Sequence, residues 1–244
     1  MGRAYLTIDD GPTEITDKIL DYLLDIGITP VLFFVGTQVE LNYSQAINAV
    51  RRGAFIGNHS YSHADFNKLT ESECIIEIEK QEMILEKLYH DAGYERKYKL
   101  FRFPYGHRGG ENEVRLQEFL YYKKFNRIDD RKISYKWYID GGYNRAMDVY
   151  WTFDFQEYRL NTEKEFTLDT IKDSIHVSTD VATSGLLLPN SYDIVLMHDS
   201  VKTNEVLPDY YKILIEYTRN RGVTYMNPCF LTRNNVPLNC YFYS

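Results

Sequence analysis

Two adjacent carboxylates, two imidazoles, an arginine and a late histidine are the residues of this 244-residue chain able to do chemistry together. Thr7-Ile8-Asp9-Asp10-Gly11-Pro12 follows the short apolar run Ala4-Tyr5-Leu6. The pattern predicts the end of a strand, stopped by Gly11 and Pro12. Successive strand side chains face opposite ways, so Asp9 and Asp10 can share a site only where that regularity ends. One acid could then serve a metal and the other a proton; the plainer alternative is a solvated Asp-Gly-Pro turn. His59 and His63 stand four apart. On a helical turn this spacing sets both rings on one face, within reach of one ion, although paired turn or capping histidines would look the same. Two histidines and one aspartate form a facial set that suits Zn²⁺, with Co²⁺, Ni²⁺ or Fe²⁺ as other candidates. Such an ion lowers the pKa of water towards ~7 and supplies a nucleophile near neutral pH.

Each polar group directly follows a short apolar stretch, and those stretches alternate with helical patterns. Ile15, Ile19, Leu23 and Ile26 mark a helix closed by Gly27, and Pro30 to Val35 reads as a strand buried on both faces. A short helix from Ser44 to Arg52 and a strand at Phe55-Ile56-Gly57 lead into Asn58-His59. Thr70-Glu71-Ser72-Glu73 is a capping-box sequence opening a long helix with Ile75, Ile78, Leu85 and Leu88 on its core face. Leu100 to Phe103 reads as a strand broken by Pro104, followed by a helix containing Leu116, Phe119 and Leu120. Arg127 to Asn144 has no clean period and reads as an inserted loop or hairpin, with a strand expected at Ile133 to Ile139. Strands at Val149 to Phe155, Asp193 to Met197 and Val223 to Met226 are separated by helices at Leu168 to Val177 and around Tyr211, Leu214 and Ile215. The alternation implies an α/β fold, a closed or nearly closed barrel of about seven parallel strands, forming one domain over residues 1–244. Active sites of such barrels lie at the C-terminal ends of the strands. Asp9-Asp10, His59…His63, Arg102-Phe103-Pro104-Tyr105 and His198-Asp199 would therefore meet in one pocket.

In these motifs and their order from Thr7 to His198, the chain resembles the NodB-homology polysaccharide deacetylases, carbohydrate esterase family four. These are metal-dependent deacetylases on a distorted (β/α) barrel. The resemblance covers nearly the whole chain. It implies that Asp9 of Thr7-Ile8-Asp9-Asp10 is the general base and Asp10 a metal ligand. His59 and His63 of His59-Ser60-Tyr61-Ser62-His63 would be the other two ligands. Arg102 of Arg102-Phe103-Pro104-Tyr105 would pair with Asp9, the Tyr105 backbone N–H would help hold an oxyanion, and His198 of Leu196-Met197-His198 would be the general acid. The fourth motif departs from the family. Where D-x-x-D-W is usual, this chain has Asp154-Phe155-Gln156-Glu157-Tyr158. Glu157 would replace the acid that orients His198 and Tyr158 the aromatic wall, the alternative being a solvated acidic turn. The implied reaction removes N-acetyl groups from a peptidoglycan- or chitin-type glycan. O-acetyl esterase activity, or glycan binding without turnover, are the competing readings.

Composition narrows the partners. A net charge of −7 offers no basic field to a nucleic acid. No run reaches the ~18 apolar residues of a membrane span. Without a recognisable signal segment the expectation is a cytoplasmic protein. Three cysteines make no disulfide framework and lack zinc-ligand spacing. Reduced thiols are the simpler expectation, with a Cys229–Cys240 pair as the alternative. Composition leaves the oligomeric state open. The remaining histidines are assigned no role: His107, following Arg102-Phe103-Pro104-Tyr105, has substrate contact only as the lesser alternative, His90 and His176 read as surface or packing residues, and Asp199 reads as either a support of the site or an exposed turn acid.

Overall fold

β1 (Arg3–Asp9) is the axis of the molecule, and every residue after Arg3 in it is buried. Its alternate side chains enter two different apolar layers, as the period of a strand demands. Ala4, Leu6 and Ile8 pack with helix residues such as Ile19, Leu23, Ala49 and Leu214. Tyr5 packs with Val31, Phe33 and Ile194 of the neighbouring strands. A strand covered on both sides must be apolar throughout, and the elements beside it explain the covering.

The computed structural model describes residues 1–177 and 185–238. In chain order, β1 is followed by α1 (Thr16–Asp25), β2 (Val31–Phe34), α2 (Gly36–Leu41), α3 (Tyr43–Arg51) and β3 (Phe55–Asn58). Next come α4 (Glu71–Ala92), α5 (Glu113–Tyr122), β4 (Arg127–Ile128), α6 (Lys136–Asp140), β5 (Phe153–Asp154) and α7 (Leu168–His176). The chain continues with β6 (Tyr192–His198), α8 (Val201–Val206), α9 (Tyr210–Arg219), β7 (Thr224–Tyr225) and β8 (Phe230–Leu231). The main sheet has six strands, in the order β3-β2-β1-β6-β5 with β7 also on β1, and every pairing is parallel.

Six strands replace the expected seven because Leu100 to Phe103 contributes a single parallel bridge, Phe101 to Asn58. That bridge nevertheless continues the ring. Asn58 N donates to Leu100 O, Arg102 N to Asn58 O, and Val149 N to Phe101 O; Thr152 N then reaches Ile194 O of β6. The distorted barrel is thus closed on one side by isolated hydrogen bonds in place of a ladder. For the same reason the expected strand from Val149 to Phe155 is regular only at β5.

The helices follow their local signals. Thr70 accepts from Glu73 N at 3.3 Å while Glu73 accepts from Thr70 N at 2.8 Å, completing the capping box. α4 ends at Gly93, whose φ of 83° is left-handed. No helix among the described residues is long and apolar enough to cross a membrane. The expected strand at Ile133 to Ile139 does not form: residues 133–135 are irregular and Lys136–Asp140 make α6. Ile133 and Tyr138 are the buried residues of this stretch, and Ile139 is exposed. The Tyr138 hydroxyl donates to Asp130 at 3.2 Å, anchoring the turn in the interior. β4 and β8 form a separate antiparallel pair beneath this insert. Cys74 is a buried free thiol, whereas the Cys229–Cys240 alternative involves Cys240, outside the described residues.

Candidate active site

Register assembles the site. In the ladder between β1 and β6, Asp9 stands directly beside His198; between β1 and β2 it stands beside Phe33. Phe34 in turn pairs with Asn58, and Asn58 bridges to Phe101. All these strands therefore stop on one level, and the residues just past the stop surround one opening.

Asp9 is buried and points into the barrel, where Oδ1 accepts from Arg102 Nη1 at 2.8 Å. The same Nη1 lies 2.7 Å from Thr7 Oγ1, and Arg102 Nε donates to Val149 O at 2.8 Å. Arg102 is 1% exposed, and its guanidinium lies 4.4 Å from the centre of the Phe33 ring. A charge so deeply placed must be paired, and removing its partner would cost several kcal/mol, roughly 3–5.

Asp10 turns the other way because its φ of 70° lies past the end of the strand. Its Oδ1 lies 3.1 Å from His63 Nε2 and 3.5 Å from His59 Nε2. The two imidazoles are not on a helical turn. Residues 59–65 are irregular, with Ser60 at φ 64° and His63 at φ 60°. The loop is held from below: Asn58 Oδ1 accepts from Ser60 N at 2.8 Å, and Ser60 Oγ accepts from His63 N at 3.0 Å. Asn58 Nδ2 donates to Ile78 O and to Glu82, itself paired with the buried Arg96. No sequence signal marked Asn58, Glu82 or Arg96.

This trio suits a divalent cation on two observations. Asp10 Oδ1 is buried without a hydrogen-bond partner. His59 Nδ1 lies 2.8 Å from Arg102 O, so it carries the proton and leaves Nε2 with its lone pair towards Asp10. Burial alone would raise the Asp10 carboxyl, but the close approach of the His59 and His63 imidazoles and the charge of His198 hold it well below the usual carboxylate range. Asp10, His59 and His63 all offer ligand atoms within 4.8 Å of one another.

Across the opening, Asp154, Glu157 and His198 form a second cluster of the same compactness. Glu157 is fully buried, and its Oε1 accepts from the His198 backbone N–H and lies 3.1 Å from His198 Nδ1. Burial would lower the His198 imidazole, yet Glu157, Asp10 and Asp154 push it up to about 10. Asp154 is itself pushed up to about 6 by burial, with His198 opposing. The Tyr158 ring meets His198 edge to face at 4.9 Å. Tyr105, at φ 59° and 60% exposed, forms the outer lip and packs edge to face on His63 at 4.6 Å. Gly106 behind it tolerates no side chain, since a Cβ would lie 2.7 Å from Trp151.

Asp199 is a buried support. It accepts from Thr13 Oγ1 at 2.6 Å, from Thr13 N at 3.3 Å and from Thr16 Oγ1, tying the turn after Asp10 to the end of β6. Gly11 must lack a side chain because a Cβ would approach Asp199 Oδ2 to 2.8 Å. Its position next to His198 was the only hint in the sequence. His107 lies exposed beside Tyr105, with Asp65 2.7 Å from its Nδ1, and His176 meets Tyr217 on the surface.

Comparison with known proteins agrees with this arrangement. Residues 2–120 match the family model described as polysaccharide deacetylase. Over 102 residues, 41% of this chain and 35% of the relative, the chain is 40% identical to a peptidoglycan-N-acetylglucosamine deacetylase of Bacillus cereus. Over 113 residues, 46% of this chain and 23% of the relative, it is 34% identical to a peptidoglycan-N-acetylmuramic acid deacetylase of Bacillus subtilis. The matches thus span about a third or less of these relatives' length. The crystal structure of the Bc1960 peptidoglycan N-acetylglucosamine deacetylase superposes with a TM-score of 0.63 at 23% identity, covering 92% of this chain and 85% of that one, which establishes the shared fold. A parallel barrel whose strand ends present Asp9-Asp10, His59 and His63 within the matched region is thus similar in sequence to polysaccharide deacetylases over residues 2–120, and similar in fold to a solved one.

Proposed function

We propose that the protein is a metal-dependent N-deacetylase acting on an N-acetylated glycan. The observation that carries this reading is the placement of two opposed proton-handling pairs, Asp9–Arg102 and Glu157–His198, on either side of the Asp10–His59–His63 trio. Removing an acetyl group from a sugar nitrogen requires attack on an amide carbonyl, stabilisation of the resulting oxyanion, and protonation of a poor amine leaving group.

Asp10, His59 and His63 would hold the divalent metal, with Zn²⁺ best matched to two imidazoles and a carboxylate. Bound there, it supplies Lewis acidity and lowers the pKa of water in the site. Asp9, kept in place by Arg102 and open towards His59, accepts the proton of the attacking water. The Tyr105 backbone turns at the lip, where its N–H can donate to the oxyanion. His198 is protonated at neutral pH because Glu157 stands beside it, and it gives that proton to the departing amine. Glu157 thereby performs the orienting task that an aspartate has in the family pattern. Its extra methylene lets one oxygen serve both the backbone N–H and the ring of His198.

The name of one relative, a peptidoglycan-N-acetylglucosamine deacetylase, supports a GlcNAc-containing substrate, and that of the other, a peptidoglycan-N-acetylmuramic acid deacetylase, supports an N-acetylated peptidoglycan sugar more broadly. The test is acetate release by Zn²⁺- or Co²⁺-reconstituted protein from a GlcNAc oligomer and from an acetylated xylan, with and without chelator. Chelator-sensitive release from the GlcNAc oligomer is expected. Release from xylan alone would replace the proposal with an O-acetyl esterase, and release from neither, with glycan bound, with a binding protein.

A further inference from the structure

Away from the strand ends, the described residues enclose a second depression of about 400 Å³. It is lined by Arg108, Arg145 and Arg233, with Gln117, Glu118 and Tyr122 between them. Three guanidiniums against one carboxylate is an unusual balance for a chain with a net charge of −7. The three are not equivalent. Arg108 is committed to Glu113 at 2.8 Å and Asp148 at 3.2 Å, with its side chain 11% exposed and its Nε buried without a partner. Arg145 and Arg233 have no carboxylate partner among the described residues. Arg233 is propped over the Tyr121 ring at 4.8 Å and donates to Tyr121 O, leaving the rest of its fork uncommitted. Planar donor forks of this kind suit a carboxylate; Glu118 offers a hydrogen-bonding group and Tyr122, 73% exposed, a ring face, while the Gln117 amide is spent on Asp148 and the Met147 N–H.

The depression is connected to the active site by packed side chains. Arg108 lies 5.2 Å over the Tyr143 ring; Tyr143 stacks on Tyr150 at 4.1 Å, and Tyr150 on Trp151 at 4.5 Å. Trp151 then sits 5.7 Å from the guanidinium of Arg102, the partner of Asp9. Arg145 comes from the turn that follows α6, and Arg233 from the segment after β8, so the depression is built by the insert and the C-terminal strand pair.

We propose that this depression is a subsite for a carboxylate-bearing sugar of the same glycan whose N-acetyl group reaches the metal site. Arg145 and Arg233 take the carboxylate, Glu118 a ring hydroxyl, and Tyr122 the apolar sugar face. The proposal rests on the glycan reading above and adds a preference: an acidic N-acetylated polymer over a neutral one.

The test compares an oligosaccharide alternating N-acetylglucosamine with a hexuronic acid against a neutral GlcNAc oligomer of equal length. Wild-type protein is expected to show a KM lower on the order of tenfold for the acidic substrate, the size of one or two charge-assisted hydrogen bonds. The double variant Arg145→Gln/Arg233→Gln should lose that advantage with kcat and the neutral KM unchanged. Equal KM values in the wild type, or a preference that survives in the double variant, overturn the subsite. An equilibrium arm separates this from the reaction itself: the acidic oligosaccharide is titrated into Asp9→Asn protein with and without the two arginine changes. Loss of binding with the arginine changes supports the subsite even where no glycan releases acetate. Binding of inorganic phosphate with no binding of the acidic oligosaccharide overturns the carboxylate assignment.

Discussion

The two sides of the opening are built on different principles. On one side, Asp9, Asp10, His59, His63 and Arg102 follow directly from strand ends whose ladders share a register. On the other, His198 also ends a strand, but its partner Glu157 arrives from a short turn after β5 and is held chiefly by the contact it makes. The first side leaves a buried oxygen of Asp10 without a hydrogen-bond partner and two imidazole nitrogens directed at it, an arrangement that invites a cation. The second side carries its own neutralisation, imidazolium against carboxylate. The difference is one of charge: on the first side two imidazole nitrogens face a single unpartnered carboxylate oxygen, whereas on the second an imidazolium already balances Glu157, whose Oε2 is likewise buried without a partner.

That contrast can be broken by experiment. The largest effect is expected at Asp9. Asp9→Asn should lower acetate release by about 10²–10⁴-fold while metal analysis still finds one ion per chain; an active variant would remove Asp9 from its role as base. Glu157→Gln comes next, with a loss of roughly tenfold to hundredfold at neutral pH. Its signature is in the pH profile. The acid must be protonated, so wild-type activity falls only as pH rises through about 10, and the variant should fall at a lower pH. Stability carries the same sign. His198 is raised above its unfolded value, so its pairing contributes fully below ~6.5 and is lost as pH rises through about 10. Chemical denaturation near neutrality and near pH 10 should show a larger drop for wild type than for Glu157→Gln.

A smaller effect is expected beneath the metal trio. Asn58→Ala removes the acceptor of Ser60 N and should weaken Zn²⁺ binding by roughly tenfold, with little change in the pH limb set by His198. Should it instead shift that limb and spare metal affinity, the two sides are not independent. The smallest effect belongs to Tyr158→Phe. It keeps the edge-to-face ring contact with His198 and should change kcat/KM by less than about threefold, well under the 1.4 kcal/mol of a tenfold change.

Much of the site was legible before any coordinates. Acidic and imidazole residues directly after apolar runs announce strand ends, and parallel strands with outer helices gather those ends on one face. The capping box at Thr70, the left-handed glycine after α4 and the doubly buried β1 are equally local, written in the residue types themselves. Other features belong to tertiary structure alone. His59 and His63 converge through left-handed backbone at Ser60 and His63, held by Asn58, which Glu82 of the distant α4, paired with Arg96 beyond that helix, supports; spacing by four suggested a helical turn that does not form. Ile133 to Ile139 reads like a strand, yet its second half folds into α6 (Lys136–Asp140), with Tyr138 buried against Asp130. The barrel closes on one side through single hydrogen bonds at Phe101 and Val149, which no periodicity records. Glu157 and Asp199 gain their importance from burial beside His198 and the Thr13–Thr16 turn. The sequence by itself determined which groups stand at the strand ends, since that depends on short-range pattern. Their distances and protonation were decided by contacts between residues far apart in the chain, for which a sequence carries no local signal.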